Sequence, residues 1–203
     1  LKKRHPAVAG RFYSAERENL IREVESHIDP DGEKCQALGV VVPHAGFMYS
    51  GDVAGAVYSR IEIPDTIILI GPNHIGKGDV VSVMTEGVWS MPMGEVYIDE
   101  VLAESICKEV GIAKSNSKAH QYEHSLETQL PFMQYFKKEF KIVPISLKKM
   151  DSSTCEVLSK GLFRAINRHH VLLVASSDMT HFESHESARK KDGKAIAYIQ
   201  KQD

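Results

Sequence analysis

Cysteine is scarce in this chain. There are three in 203 residues, Cys35, Cys107 and Cys155, far apart and in no C-x-x-C pair. That pattern argues against a disulfide scaffold and for a reduced, cytoplasmic protein. Long apolar runs are missing too. No stretch approaches the length needed to span a bilayer, and no secretory signal is visible, so no membrane partner is expected. Nor is there an excess of either charge: 25 Lys and Arg against 27 Asp and Glu leave a formal net charge of −2. A basic field that would recruit nucleic acid or an anionic surface is therefore absent. The pairs Lys137-Lys138, Lys148-Lys149 and Lys190-Lys191 are scattered and read as solvated faces. Repeats, low-complexity stretches and long linkers are also lacking. The remainder is ordinary globular composition, 42% hydrophobic and 26% charged, at a length that suits one domain with a sizeable core.

Three short apolar runs stand out: Gly39–Val42, Thr66–Ile70 and Val171–Ala175. They are rich in β-branched residues and leucine and almost free of polar ones, as strands buried on both faces of a parallel sheet are. Further strands are expected at 79–84 and 140–146. Helical patterns alternate with these runs. Leu20, Ile21, Val24 and Ile28 form one face behind a possible Ser14 cap. Val53, Val57, Tyr58 and Ile61 form another after a turn at Tyr49-Ser50-Gly51. More helices are expected over 99–110, 124–138, 152–168 and 185–200, with Pro131 early in its helix or kinking it. Gly87–Gly94 reads as a loop or short hairpin, in which Trp89 lines a cleft or covers the sheet. The alternation predicts a single α/β domain with a mainly parallel central sheet flanked by helices.

Chemistry-bearing residues follow the strand runs. His44 lies in Pro43-His44-Ala45-Gly46, His74 in Gly71-Pro72-Asn73-His74, and Asp178 and His181 in Ser176-Ser177-Asp178-Met179-Thr180-His181. Ligands of open α/β sheets bind outside the carboxyl ends of the strands. Parallel neighbours would therefore bring these groups into one cleft suited to a metal or to acid–base work. Asp178 and His181 are three apart, so a carboxylate could orient the imidazole, although a helix cap at Ser177 or Asp178 accounts for part of the pattern. In Glu123-His124-Ser125-Leu126-Glu127, His124 and Glu127 share the same spacing at an expected helix start, where an acidic residue also has a purely structural reason to sit. His120 is too near His124 to be separated from it by sequence. His5, His27 and His185 have no constellation around them, and Cys107 falls on the apolar side of a helix.

Five segments in this order resemble the Memo family, archaeal type: Arg4–Tyr13, Val42–Gly51, Gly71–His74, Glu123–Glu127 and Ser176–His181. That family is similar in fold to class III extradiol ring-cleaving dioxygenases. The resemblance implies an extradiol-dioxygenase-like domain over 1–203 with His44 and His74 as metal ligands. It makes His181, with Asp178, the counterpart of the dioxygenases' acid–base histidine. Those dioxygenases add a glutamate near the C-terminus, and Memo chains carry a cysteine in a glycine-containing C-terminal segment. This chain reaches Asp203 without such a segment, so the expectation is a third ligand outside residues 1–203 and weak metal binding by this form.

The leading expectation is a divalent metal, iron(II) by the histidine–carboxylate precedent, serving an oxidoreductase of unknown substrate. A histidine–cysteine set would favour copper or zinc instead. One rival is a zinc hydrolase with Glu127 or His181 as base. Another is a non-catalytic module whose cleft takes a small-molecule, peptide or phosphorylated ligand at the helix start near Ser50.

Overall fold

The sheet runs through the middle of the molecule and its helices cover both faces. The computed structural model describes residues 2–149, 151–167 and 169–201. In chain order the elements are β1 Lys3–Arg4, α1 Arg17–His27, β2 Gly39–Val42, α2 Phe47–Tyr58 and β3 Thr66–Pro72. Next come β4 Val81–Val83, β5 Val88–Met91, β6 Gly94–Ile98, α3 Glu100–Val110 and β7 Ala113–Ser115. The last are α4 Leu130–Phe136, β8 Lys141–Leu147, α5 Ser152–Ile166, β9 Val171–Ser176 and α6 His185–Lys201.

The main path of the sheet is β1-β5-β6-β8-β3-β9-β2, with β4 and β7 attached beyond β8. β3 lies parallel to both β8 and β9, and β9 parallel to β2. The three apolar runs are thus parallel members of one sheet, as expected from their composition. Ile67, Ile68 and Leu69 of β3 are fully buried, which a central strand covered on both faces requires. β2 departs from the expectation. It is an edge strand paired only along β9; only Val42 is buried, and Val41 is 38% exposed. The Gly87–Gly94 segment enters an antiparallel β5–β6 hairpin, and Trp89 is fully buried. The three-residue β7, with one buried side chain, was too short to register as a pattern.

α1 begins behind Glu16 rather than Ser14, whose backbone N–H instead donates to Glu23 Oε2. α2 starts at Phe47, so Tyr49-Ser50-Gly51 lies within the helix and Val53 faces outward, 58% exposed. Its buried side is Phe47, Gly51, Ala54, Gly55 and Tyr58. Small residues are needed there because the end of α1 crosses them: a Cβ on Gly55 would sit 2.0 Å from the His27 carbonyl oxygen. Asp99 and Asp151 cap α3 and α5 by accepting from Leu102 N and Thr154 N. Pro131 falls in the first turn of α4, where its missing N–H costs nothing. α6 buries none of its side chains; Thr180 N and Oγ both donate to its Asp192 Oδ1. No helix among the described residues is long and apolar enough to cross a membrane.

The α1–α2 crossing generates a direct test. Gly55→Ala must push the two helices apart against backbone, and overpacking of this kind costs about 1–3 kcal/mol or more. Urea unfolding should therefore show Gly55→Ala less stable by about 3 kcal/mol, whereas Gly193→Ala on α6, with no atom within 4 Å of the added carbon, should unfold at the wild-type midpoint or slightly above it.

Candidate functional site

β2, β3 and β9 point their carboxyl ends to one edge, and each delivers a polar side chain two residues past its last residue: His44, His74 and Asp178. A fourth chain segment, between β7 and α4, supplies Glu123 and His124 to the same place. Nitrogens of His44, His74 and His124 lie within 4.8 Å of one another. The His74 and His124 rings stack with centroids 4.7 Å apart, and His44 meets each of them edge-on, at 5.3 Å and 5.7 Å.

Two of these rings are anchored through Nδ1, and the third through its backbone. His44 Nδ1 is 2.9 Å from Ser176 Oγ. His74 Nδ1 donates to Glu123 Oε1 at 2.8 Å, while the His74 backbone N–H donates to Oε2 at 2.6 Å. Glu123 Oε1 also accepts from the backbone N–H groups of His124 and Ser125, both at 3.0 Å. Burial would raise the Glu123 carboxyl, but hydrogen bonds from His74 and Ser125 outweigh it and hold the group below its usual range. The result is a carboxylate that orients one imidazole and fixes the backbone of the next, the common support of metal-bound histidine. Burial also lowers His44 to about 4 and lowers His124, overriding the attraction of Asp178 and Glu123. Both imidazoles are therefore neutral at neutral pH, the state in which they bind metal.

The donor set fits a divalent first-row ion. Three imidazoles with open positions is a known catalytic zinc pattern, and imidazole equally suits iron and copper. Ligands at about 2.0–2.1 Å from one tetrahedral ion lie roughly 3.3 Å apart, so the rings need only a small inward rotation. The sequence pointed to two donors within residues 1–203, and the structure groups three imidazoles that could hold an ion. His124 is the third member of the cluster.

Asp178 and His181 sit beside the three histidines. Asp178 Oδ1 accepts from the backbone N–H groups of both His44 and Ala45. Its Oδ2 lies 3.6 Å from His44 Nε2 and 3.5 Å from His181 Nε2, so one carboxylate oxygen stands between the cluster and the outer imidazole. His181 is not one of the clustered histidines. Its side chain is half exposed, with Nδ1 3.0 Å from the Met179 carbonyl. Met179 and Phe182, on either side of it, hold positive φ angles of 64° and 57°. Non-glycine residues in that region carry strain of order 1–3 kcal/mol.

Glu127 is placed differently from a general base. It is fully buried, and both oxygens are taken: Oε2 by Arg4 Nη1 and Ala7 N, Oε1 by Val8 N and Tyr13 OH. Burial, with Glu127 beside it, raises the Tyr13 hydroxyl, which stays a donor. Arg4 also donates to the carbonyls of His120 and Glu123, and its guanidinium lies 4.1 Å over the Trp89 ring. Glu127 therefore ties the N-terminal segment to the loop that carries His124. The sequence reading missed Arg4, Glu123 and Ser176 as parts of the site. Glu123, next to a candidate histidine, and Ser176, two residues before Asp178, carried a local signal; Arg4 did not. Phe12, whose ring meets His124 at 4.9 Å, carried none. His120 is separated from His124 by the structure: it is fully buried, and neither ring nitrogen makes a hydrogen bond.

A family model described as "Memo-like protein" matches residues 4–203. The chain is similar to MEMO1 family proteins of Pyrobaculum arsenaticum (44% identical, covering 98% of this chain and 76% of the relative) and Aquifex aeolicus (42%, covering 98% and 74%). It is also similar to one of Sulfurisphaera tokodaii (40%, covering 97% and 76%).

Two expected outcomes follow from the buried charges. Glu127→Gln leaves Arg4 without its anionic partner, and breaking a buried pair costs about 3–5 kcal/mol; denaturant unfolding should show a loss of that order, and an unchanged midpoint would return Glu127 to the candidate bases. The second concerns acid. Burial lowers His44 to about 4, and burial with the nearby Arg4 lowers His120 to about 3, from the ordinary 6.5. Each binds a proton on unfolding at pH values between. Stability is full above about 6.5 and falls as pH drops toward 4, by up to roughly 1.4 kcal/mol per pH unit for each histidine in metal-free protein. Urea titrations at several pH values measure this slope, and His120→Leu should reduce it by about one proton.

Proposed function

This chain belongs to the Memo-like family, and on that footing we propose that it is a metal-dependent enzyme whose ion is held by His44, His74 and His124, with Asp178 and His181 handling a proton beside it. The observation that carries the proposal is the convergence of three imidazoles from three separate segments, two of them neutral by burial, with Asp178 Oδ2 at 3.6 Å from His44 Nε2. A divalent ion bound there would polarise an oxygen-bearing ligand and lower its pKa. His181, half exposed at the mouth, can exchange protons with solvent. Asp178, which favours the charged form of His44, stands between the two imidazoles where it can steady a proton as it passes.

Iron(II) and an oxidoreductase reaction follow from the likeness to the ring-cleaving dioxygenases. The copper-or-zinc alternative started from a histidine–cysteine set; the three clustered donors are all imidazole, which suits iron, copper and zinc alike. That same all-histidine set supports a second reading, a zinc site that activates water, with His181 rather than Glu127 as the base. The free Cys35, Cys107 and Cys155 suit the reducing, cytoplasmic setting we propose.

Protein purified without oxygen and analysed for metal separates the two readings. Iron(II), with oxygen consumption on reoxidation, supports the first, and zinc the second. Titration with zinc or cobalt(II) tests the ligand set itself. His124→Ala should weaken binding by at least about 100-fold, while His181→Ala should leave affinity within about threefold. Wild-type affinity in His124→Ala would place the third donor elsewhere and end the three-histidine proposal.

A further inference from the structure

Beneath the cleft, four polar side chains are sealed from water. Tyr58 is 0% exposed, Gln129 1%, His44 2% and Ser176 4%. They form an unbroken hydrogen-bonded line whose direction can be worked out proton by proton. Gln129 Nε2 lies 2.8 Å from the Pro43 carbonyl, which can only accept. The amide nitrogen must face that carbonyl, so the amide oxygen faces Tyr58 and accepts its hydroxyl proton at 2.9 Å. The second N–H of Gln129 points to Ser176 Oγ at 3.1 Å. Ser176 has one proton of its own. The Ser125 carbonyl lies 2.7 Å from Oγ and can only accept, so that proton is committed to it. Toward His44 Nδ1, at 2.9 Å, the serine oxygen then offers a lone pair. The imidazole must supply the proton.

We propose that Ser176, braced by Gln129 and Tyr58, is a positioning residue that locks neutral His44 as its Nδ1–H tautomer and so presents the Nε2 lone pair to the metal. This inference rests on the three-histidine reading for its purpose, though not for its test. The opposite tautomer, which histidine side chains favour in water, would set two acceptors against each other in a buried site and leave Ser176 or Ser125 without a partner. Such a loss disfavours that tautomer, and Asp178 Oδ2, at 3.6 Å from Nε2, is too far to make it good by accepting from an Nε2–H. His74 reaches the same state by another route, through a carboxylate that can only accept. Two donors with the same free nitrogen are thus set before any ion arrives, and an ion meets lone pairs already aimed.

The test reads the tautomer directly. Nitrogen-15 NMR of metal-free protein at pH 7.5, with long-range couplings from the ring protons, assigns which His44 nitrogen carries hydrogen. The expected result is Nδ1–H in the wild type, a mixture of tautomers in Ser176→Ala, and recovery of Nδ1–H in Ser176→Thr, which restores the hydroxyl. Zinc titration should show Ser176→Ala weaker by about 10–100-fold and Ser176→Thr close to wild type. A wild-type His44 carrying its proton on Nε2 overturns the proposal, even if Ser176→Ala fails to fold. So does a Ser176→Ala protein that keeps pure Nδ1–H. If wild-type protein binds neither zinc nor cobalt(II), the metal reading fails separately, and the NMR result still decides the tautomer.

Discussion

A carboxylate with no access to water must be given donors or lose its charge. Glu127 is given four, and the architecture around the cleft is arranged by that requirement. Arg4 is the strongest of them and the most widely connected. One guanidinium reaches Glu127, the His120 carbonyl and the Glu123 carbonyl, and its flat face rests on Trp89. The segment from His120 to Leu126 contains no strand and no α-helix of its own. Its course is set by what it binds: Arg4 on one side, and His74, Pro72 and Ser176 on the other. The loop that delivers Glu123 and His124 is in this sense a tertiary construction, assembled when the N-terminal residues come home to Glu127.

That dependence explains which parts could be read in the sequence. His44, His74 and Asp178 each follow a strand of the parallel part of the sheet at the same distance. Strand composition and the rule for ligands at carboxyl ends are both local signals, so these residues and the central sheet were legible. His124 sits on a loop positioned by contacts 120 residues away in sequence, and spacing alone could not bring it to His44. The reading also placed His124 and Glu127 together on a helix start. In the structure Glu127 opens a single tight turn and faces Arg4, Ala7, Val8 and Tyr13, while His124 faces the cleft. A shared three-residue spacing was correct as arithmetic and misleading as geometry.

The errors in the helices have a related cause. Apolarity located α2, but its buried face is set by size. Gly51, Ala54 and Gly55 face inward because α1 comes too close for anything larger, and Val53 is left outside. For β2, composition suggested two covered faces. Its single neighbour, β9, leaves it at the rim of the sheet, and what marks it as important is the histidine it delivers.

The supports behind the three clustered histidines are unequal in number. His74 and His124 lean on the same carboxylate, whereas His44 has an independent hydroxyl behind it. The centre consequently has no redundancy on one side and a separable element on the other. Loss of Glu123 would loosen two of the three imidazoles together. Loss of Ser176 would loosen His44 alone and leave the supports of His74 and His124 in place. For the proposed ion, the His44 branch would give graded tuning of affinity and the shared branch would act as a switch.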